Sequence, residues 1–283
     1  MENYSVKVKI KKFRKKVWEH YKKHGRHDLP WRQTRDPYKI LVSEIMLQQT
    51  QVPRVLGKYK SFLKKFPTVK KLAKATFAEV LKEWSGLGYN RRAKYLYETA
   101  KLLSKKRKIS SADYEKLPGV GPYTKNAVRV FAFNEPHILI ETNIRTAYIH
   151  HLFAHPRLST YRQKDVYKQI RDEAILPFAK KAAEGQDPRT WHWALMDYGA
   201  HLKRSGVRNN HRSAHYTKQS KFEGSLRQVR GVILRVLHEG PLTEFAVRRR
   251  LEASPLYIDR ALEGLAKDRL IKKSAQGRKW RIA

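Results

Sequence analysis

A chain of 283 residues without a single cysteine can form no disulfide, hold no metal through thiolates and use no cysteine nucleophile. Acidic residues are scarce as well: 25 Asp and Glu stand against 62 Lys and Arg, a formal charge of +37. Such a field attracts polyanions, nucleic acid foremost, although charge by itself leaves a merely soluble basic or ribosome-like protein open. The opening residues MENYSVKVKIKKFRKK lack an apolar signal region, and no apolar run approaches a membrane span. The expectation is a soluble intracellular protein, cytoplasmic and nucleoid-associated if prokaryotic. Basic amphipathic helices can lie on membranes, but a hydrophobic content of 41% suits a packed globular core. The twelve histidines form no metal-ligand pattern; neither His150-His151 nor His211/His215 has a carboxylate or cysteine to complete a set.

What is present is mostly helical periodicity. Val6, Ile10, Phe13, Val17 and Tyr21 recur at three- and four-residue steps before Gly25, which predicts an amphipathic helix with a lysine-rich outer face. Asp36-Pro37 opens a second helix, PYKILVSEIMLQQT, apolar nearly all round and therefore central. Helical segments are expected at 53–65, 68–74, 76–84, 91–105, 111–116, 122–132, 143–153, 164–180 and 188–202, with no strand before residue 270. Residues 203–224 are polar, basic and irregular. After them come three capped helices and two short strands around a glycine-containing turn, the layout of a winged-helix domain; a generic helical cap is the plainer alternative. The fold class expected is all-α.

Two features carry chemistry. In Leu117–Thr124, LPGVGPYT, a Gly-x-Gly turn joins two helices, so the amides of Gly119, Gly121 and the next helix N-terminus can bind phosphate. Glu44 shares a face with Ile40 and Leu47 on the apolar helix. A carboxyl there should be desolvated and kept available as an acid near neutrality. The bland reading is a buried Glu paired with an arginine from elsewhere, such as Arg32.

LPWR (29–32), DPYKILVSEIMLQQTQV (36–52), GLGYN (86–90), LPGVGPYT and WALMDYGA (193–200), in this order and spacing over residues 13–202, resemble the adenine glycosylase (MutY) family of the helix-hairpin-helix superfamily. The resemblance implies a two-lobed helix-hairpin-helix glycosylase fold with a winged-helix-like tail. Its divisions would be 1–27 with 138–222, 28–137 carrying the hairpin, and 225–283. It implies an enzyme that flips a base out of double-stranded DNA bearing a mismatched or damaged base and hydrolyses its N-glycosidic bond. Glu44 matches the catalytic acid. Tyr123 stands where bifunctional relatives such as endonuclease III carry a lysine nucleophile, so the chain resembles the monofunctional members. Gln49 and Tyr89 match residues that enter the base stack and probe the partner base. Trp31, Arg32 and Asp197 match the adenine pocket, and Asn143 a residue beside the second catalytic carboxylate. Leu117, Gly119, Val120, Gly121, Lys203 and Arg204 fall on the DNA side, and the carbonyls of Leu117 and Val120 match ligands of a Na+ or K+ ion. A monomer is implied, with no membrane.

Three departures stand out. The relatives' iron–sulfur cysteines map onto Lys203, Asn210, Ser213 and Gln219, none of which replaces a thiolate, so no cluster is expected. The family's sugar-stabilising Asp is replaced by Glu141; Thr142 and Asn143 are expected to take over the capping of the following helix so that Glu141 still reaches the sugar. No 8-oxoguanine-reading domain of the family's kind is expected, the winged-helix-like tail standing in its place. The expected substrate is adenine opposite G or 8-oxoguanine. A thymine or uracil glycosylase acting opposite G, a non-catalytic DNA-binding homologue, and a structural protein of a nucleoprotein particle are the alternatives.

Overall fold

The computed structural model describes residues 2–153, 169–217 and 221–283, with side chains from residue 6 onward. Helix α1 (Glu2–His24) buries Ile10, Phe13, Val17 and Tyr21 along one face, and the Gly25 amide closes it by donating to the Tyr21 carbonyl. Helix α2 (Pro37–Leu47) is buried from Tyr38 to Met46 apart from Lys39, as expected of a helix apolar on every side. There follow α3 (Val52–Lys65), α4 (Val69–Lys74), α5 (Phe77–Trp84), α6 (Arg91–Leu103), α7 (Pro122–Phe133), α8 (Thr142–Leu152), α9 (Asp172–Ala183) and α10 (Pro188–Arg204). Thr68 and Thr76 cap α4 and α5, the latter in a reciprocal capping box with Glu79. Residues 111–116, expected as a helix, form only a 3₁₀ turn over Ser111–Tyr114. The helix expected over 164–180 lies outside the described residues up to 168, and its remainder begins at Asp172.

The chain divides into two units: Met1–Pro37 with Gly121–Lys218, and Tyr38–Val120 with Gln219–Ala283. In the first, α1, α7 and α8 pack on α10, and α9 packs on α1 and α8, over a core of Phe13, Tyr148 and Trp191. Gly199, in the WALMDYGA segment, lets α8 and α10 meet: a Cβ there would overlap the carbonyl of Asn143.

The second unit holds α2–α6 together with the C-terminal segment. That segment contains α11 (Leu226–Leu237), β1 (Leu242–Thr243), α12 (Glu244–Arg249), α13 (Pro255–Lys267), β2 (Ile271–Lys273) and β3 (Lys279–Ile282). The expectation of no strand before residue 270 is corrected here. β1 pairs antiparallel with β3, giving a three-stranded sheet in the order β1-β3-β2. Two residues are too few to show a period-two pattern. The segment is fastened to α6 through Asp268, whose carbonyl accepts from Lys94 Nζ (3.0 Å) and whose carboxylate lies 3.5 Å from Arg91. No helix of the described residues is long and apolar enough to cross a membrane.

A buried histidine makes the first unit acid-sensitive. His192 Nε2 accepts from the Leu139 amide (3.1 Å), so its proton sits on Nδ1 and goes to the Pro188 carbonyl (2.6 Å). Burial pushes this imidazole down to about 4. A second proton would have to displace the Leu139 N–H. Because the folded value lies below the unfolded one, the stability is whole above about pH 6.5 and is lost as pH falls toward about 4, on the order of 3 kcal/mol. Urea denaturation between pH 7 and 4 should show this fall, and His192→Gln should lessen it, the remainder coming from His151, which burial also lowers to about 4; an unchanged slope in the variant would refute the assignment.

Candidate active site

The candidate residues fall into two clusters, one in each unit. In the second unit Glu44 lies in α2 at 9% exposure, among Ile40, Leu41, Val42, Ile45 and Met46. Arg32, the partner named in the plainer reading, makes its bidentate contact with Asp197 in the first unit.

Just past α2, Gln49 has φ +53°, and across the turn after α5 Tyr89 has φ +48°. Left-handed backbone is unusual for such side chains and persists only where the surroundings enforce it. The enforcing group is Arg92, in the first turn of α6 and buried. One guanidinium nitrogen donates to the carbonyls of Ile45 (2.8 Å), Met46 (2.9 Å) and Gln48 (2.5 Å). The other donates to Thr50 Oγ1 (3.1 Å) and to the carbonyls of Leu87 (3.2 Å) and Gly88 (3.1 Å). It thus holds the carbonyl preceding each strained residue, and with them the C-terminal end of the Glu44 helix. Its guanidinium also lies over Trp84 and Tyr89, 5.5 and 5.4 Å from the ring centroids. Burial lowers it to about 10, so it remains charged at neutral pH. Arg92 escaped the sequence reading. A signal was available: Arg91-Arg92 puts two cations at a helix N-terminus, where the dipole disfavours them, unless they are spent on acceptors nearby.

The hairpin begins in this unit. Thr99 Oγ1 donates to the Pro118 carbonyl (3.0 Å), and the Val120 amide to the Leu117 carbonyl (3.2 Å). Gly119 has φ +70°, is exposed, and leaves no room for a Cβ against the Tyr95 ring. In the first unit, Gly121 caps α7, and Tyr123 follows in its first turn, half-buried.

The cluster of the first unit is built on α8 and α10. Glu141 is itself the N-cap of α8: Oε1 accepts from the amides of Asn143 (2.8 Å) and Ile144 (2.9 Å). The expectation that Thr142 and Asn143 take over capping is therefore corrected. The longer carboxylate folds back onto the helix end, while Oε2 accepts from Asn143 Nδ2 (3.3 Å). Lys203 Nζ donates to Asn143 Oδ1 (2.7 Å). Burial draws this ammonium below its usual range, against the pull of Glu141. Arg204 beside it is exposed.

Asp197 and Arg32 form a buried bidentate pair at 2.7 and 2.8 Å, and Arg26 adds a backbone and side-chain contact at 2.9 and 2.7 Å. Burial alone would raise the Asp197 carboxyl; the Arg32 and Arg26 guanidiniums hold it below the usual carboxylate range. Arg32 also lies 5.4 Å from the centroid of Trp193, which Arg189 approaches at 4.6 Å. Trp31, in the 3₁₀ turn that carries Arg32, is buried.

The segment after α10 does not suit an iron–sulfur cluster. Lys203 is committed to Asn143, Asn210 Oδ1 accepts from Thr146 Oγ1 (2.6 Å), and Ser213 Oγ accepts from the His215 amide (3.1 Å); Gln219 lies outside the described residues. The segment is tied down by other means. Asn209 donates to the Thr146 carbonyl, Arg212 to that of Phe153, and Ile170 pairs with Ser213. Among the described residues no group of three His, Asp or Glu is arranged to hold a metal ion.

The family described as HhH-GPD superfamily base excision DNA repair protein matches residues 42–173. The adenine DNA glycosylase of Mycolicibacterium smegmatis is 34% identical over 280 residues, covering 90% of this chain and 91% of that protein. The adenine DNA glycosylase of Buchnera aphidicola subsp. Baizongia pistaciae is 37% identical over 187 residues, but the match spans only half of its length. Among solved structures, a thermostable thymine-DNA glycosylase superposes with a TM-score of 0.58 at 27% identity, over 69% of this chain and 88% of that one. An endonuclease III trapped on DNA superposes at 0.51 with 18% identity, over 71% of this chain and 88% of that one, a likeness of fold. Helix architecture, motif order and a match over nine tenths of the chain agree: this chain belongs to the HhH-GPD superfamily of base excision DNA repair proteins and is a DNA N-glycosylase.

Proposed function

We propose that the chain removes adenine mispaired with G or 8-oxoguanine from duplex DNA, as a monofunctional hydrolase and a monomer. The observation that carries the proposal is Glu44, a carboxyl buried in an apolar helix whose last carbonyls, those of Ile45 and Met46, are held by the Arg92 guanidinium. In this reading Glu44 gives its proton to the flipped purine, and the C1′–N9 bond breaks with its electron pair passing to the base. Water then adds to the sugar cation and loses a proton. Glu141 offsets the positive charge on the sugar, where a fixed carboxylate is worth most. Adenine is favoured by the mycobacterial relative, which matches along nearly its whole length. A second reading, thymine or uracil opposite G, is favoured by the likeness to the thymine-DNA glycosylase.

Duplexes carrying A·8-oxoG, A·G, T·G and U·G pairs, analysed before and after hot alkali, separate these readings. The proposal expects fastest release from A·8-oxoG or A·G, with strand breaks only after alkali, since Tyr123 cannot form a Schiff base with the sugar. Faster release from T·G or U·G supports the second reading, and release from none leaves a DNA-binding homologue.

Two further outcomes follow. Glu141→Gln, which keeps the amide acceptor but loses the charge, is expected to slow single-turnover excision at least a hundredfold; Glu141→Asp, a better helix cap, should retain or gain activity. Excision by Glu141→Gln at the wild-type rate would assign the second carboxylate to another residue. The clusterless reading expects purified protein without visible iron–sulfur absorbance and with a melting temperature unmoved by chelators. Stoichiometric iron would contradict it.

A further inference from the structure

The sheet that ends the C-terminal segment has two unlike faces. Side chains alternate along a strand, and residues paired across strands share a face. Ile271 pairs with Ile282, and both are buried where α13 packs on β2 and α11 on β3. The opposite face carries Lys272, its direct partner Arg281, and Lys279, which pairs with Thr243 of β1. All three cations are exposed. An antiparallel sheet commonly leaves one face in water; here the wet face holds charge of a single sign.

This arrangement is unfavourable for the fold. Lys272 and Arg281 stand directly opposite, with Cβ atoms about 5 Å apart, and Lys279 lies about 7 Å from Arg281 along the same strand. Like charges placed opposite one another weaken a sheet. Elsewhere the segment matches its cations: Arg230 with Asp268, Arg248 with Glu244, Arg250 with Glu239, and Lys273 with the Trp280 ring, 5.2 Å from its centroid. Among the described residues no carboxylate or ring engages the side chains of Lys272, Lys279 or Arg281. Lysines on an edge strand can keep sheets from pairing with one another. That does not account for Lys279 and Arg281, because β3 is the central strand in the order β1-β3-β2.

Three cations with no aromatic ring among them suit a run of closely spaced anions and have no means of reading a base. The Thr243 hydroxyl on the same face is already engaged, accepting from the Ala246 amide. Duplex DNA carries one negative charge per about 1.7 Å of its axis, a density that rewards bringing cations together through release of its counterions. We infer that this face of the sheet binds the phosphate backbone of duplex DNA, whatever its sequence. Lys272, Lys279 and Arg281 are the contacting residues, and the repulsion among them in the free protein is relieved by the phosphates. The inference needs only that the chain meets DNA, as a DNA N-glycosylase does, and is independent of which base is excised.

The test measures binding of full-length protein to a short undamaged duplex over a range of salt concentrations, so no excision is required. A variant combining Lys272→Gln, Lys279→Gln and Arg281→Gln is expected to bind at least tenfold more weakly at low salt. Its plot of log affinity against log salt should be shallower by about 2–3, since each lost phosphate contact removes about 0.9 from the slope. Its melting temperature should equal or exceed that of wild type, because like charges no longer face one another. A second variant removes the same charge from exposed positions of α1, through Lys11→Gln, Lys12→Gln and Lys22→Gln. Its slope should change by less than about one. An unchanged slope in the sheet variant overturns the inference, and so does an equal change in both variants, which would assign the effect to net charge. A melting temperature well below wild type would give the three cations to the fold instead. Polyglutamate serves as the probe for an acidic polypeptide: if the sheet variant loses affinity for it and not for the duplex, the inference is also overturned.

Discussion

Replacing Arg92 by Ala is expected to lower stability by about 3–5 kcal/mol and to reduce single-turnover excision at least a hundredfold at a temperature where the variant is still folded. The six acceptors that Arg92 serves sit on two separate stretches of chain: the end of α2 running into the Gln48–Thr50 turn, and the Leu87–Gly88 turn. Five of them are backbone carbonyls, which lose this donor when the guanidinium is removed. With the carbonyls of Gln48 and Gly88 released, the left-handed backbone of Gln49 and Tyr89 loses its enforcement and relaxes to ordinary geometry. Arg92→Lys is the sharper variant: it keeps the charge near Trp84 but spans only one of the two groups of acceptors. It is expected to recover part of the stability and little of the activity. Melting curves and single-turnover rates for the pair decide the matter; a lysine variant with wild-type rate would show that charge alone suffices.

Helices were legible in the sequence wherever local pattern determines structure. The apolar α2, the one-sided face of α1 and the threonine and serine caps need only neighbouring residues to be recognised. What was not legible depends on partners remote in sequence. Arg32 and Asp197 stand 165 residues apart, and their bidentate pair could not be anticipated from either segment. β1 exists because β3, more than thirty residues later, supplies its hydrogen bonds. The Arg92 clamp is intermediate: its acceptors lie within 47 residues, and its place at a helix N-terminus was a readable anomaly. Glu141 illustrates a different limit. Its identity was plain, and the missing shorter carboxylate pointed to a displaced charge. Whether the extra methylene would reach outward or fold back on the helix was a matter of side-chain geometry, and it folds back.

Glu44 carries the largest expected effect, because on the proposed reading it is the group whose proton the departing base takes. Glu44→Gln preserves the shape and the polarity of the side chain within α2 and removes the transferable proton, so folding and DNA affinity should stay close to those of wild type while chemistry fails. Loss of a general acid costs on the order of 10²–10⁴ in rate, and no second carboxyl lies on the buried face of α2 to substitute for it. The most direct test of the account is therefore the release of free adenine from an A·8-oxoG duplex under single-turnover conditions, quantified by mass spectrometry for wild type and Glu44→Gln side by side, with duplex affinity measured on the same preparations. The account predicts free adenine from wild type, at least a thousandfold slower release from the variant, and affinities within a few-fold of each other. Release by Glu44→Gln within a few-fold of the wild-type rate would contradict it.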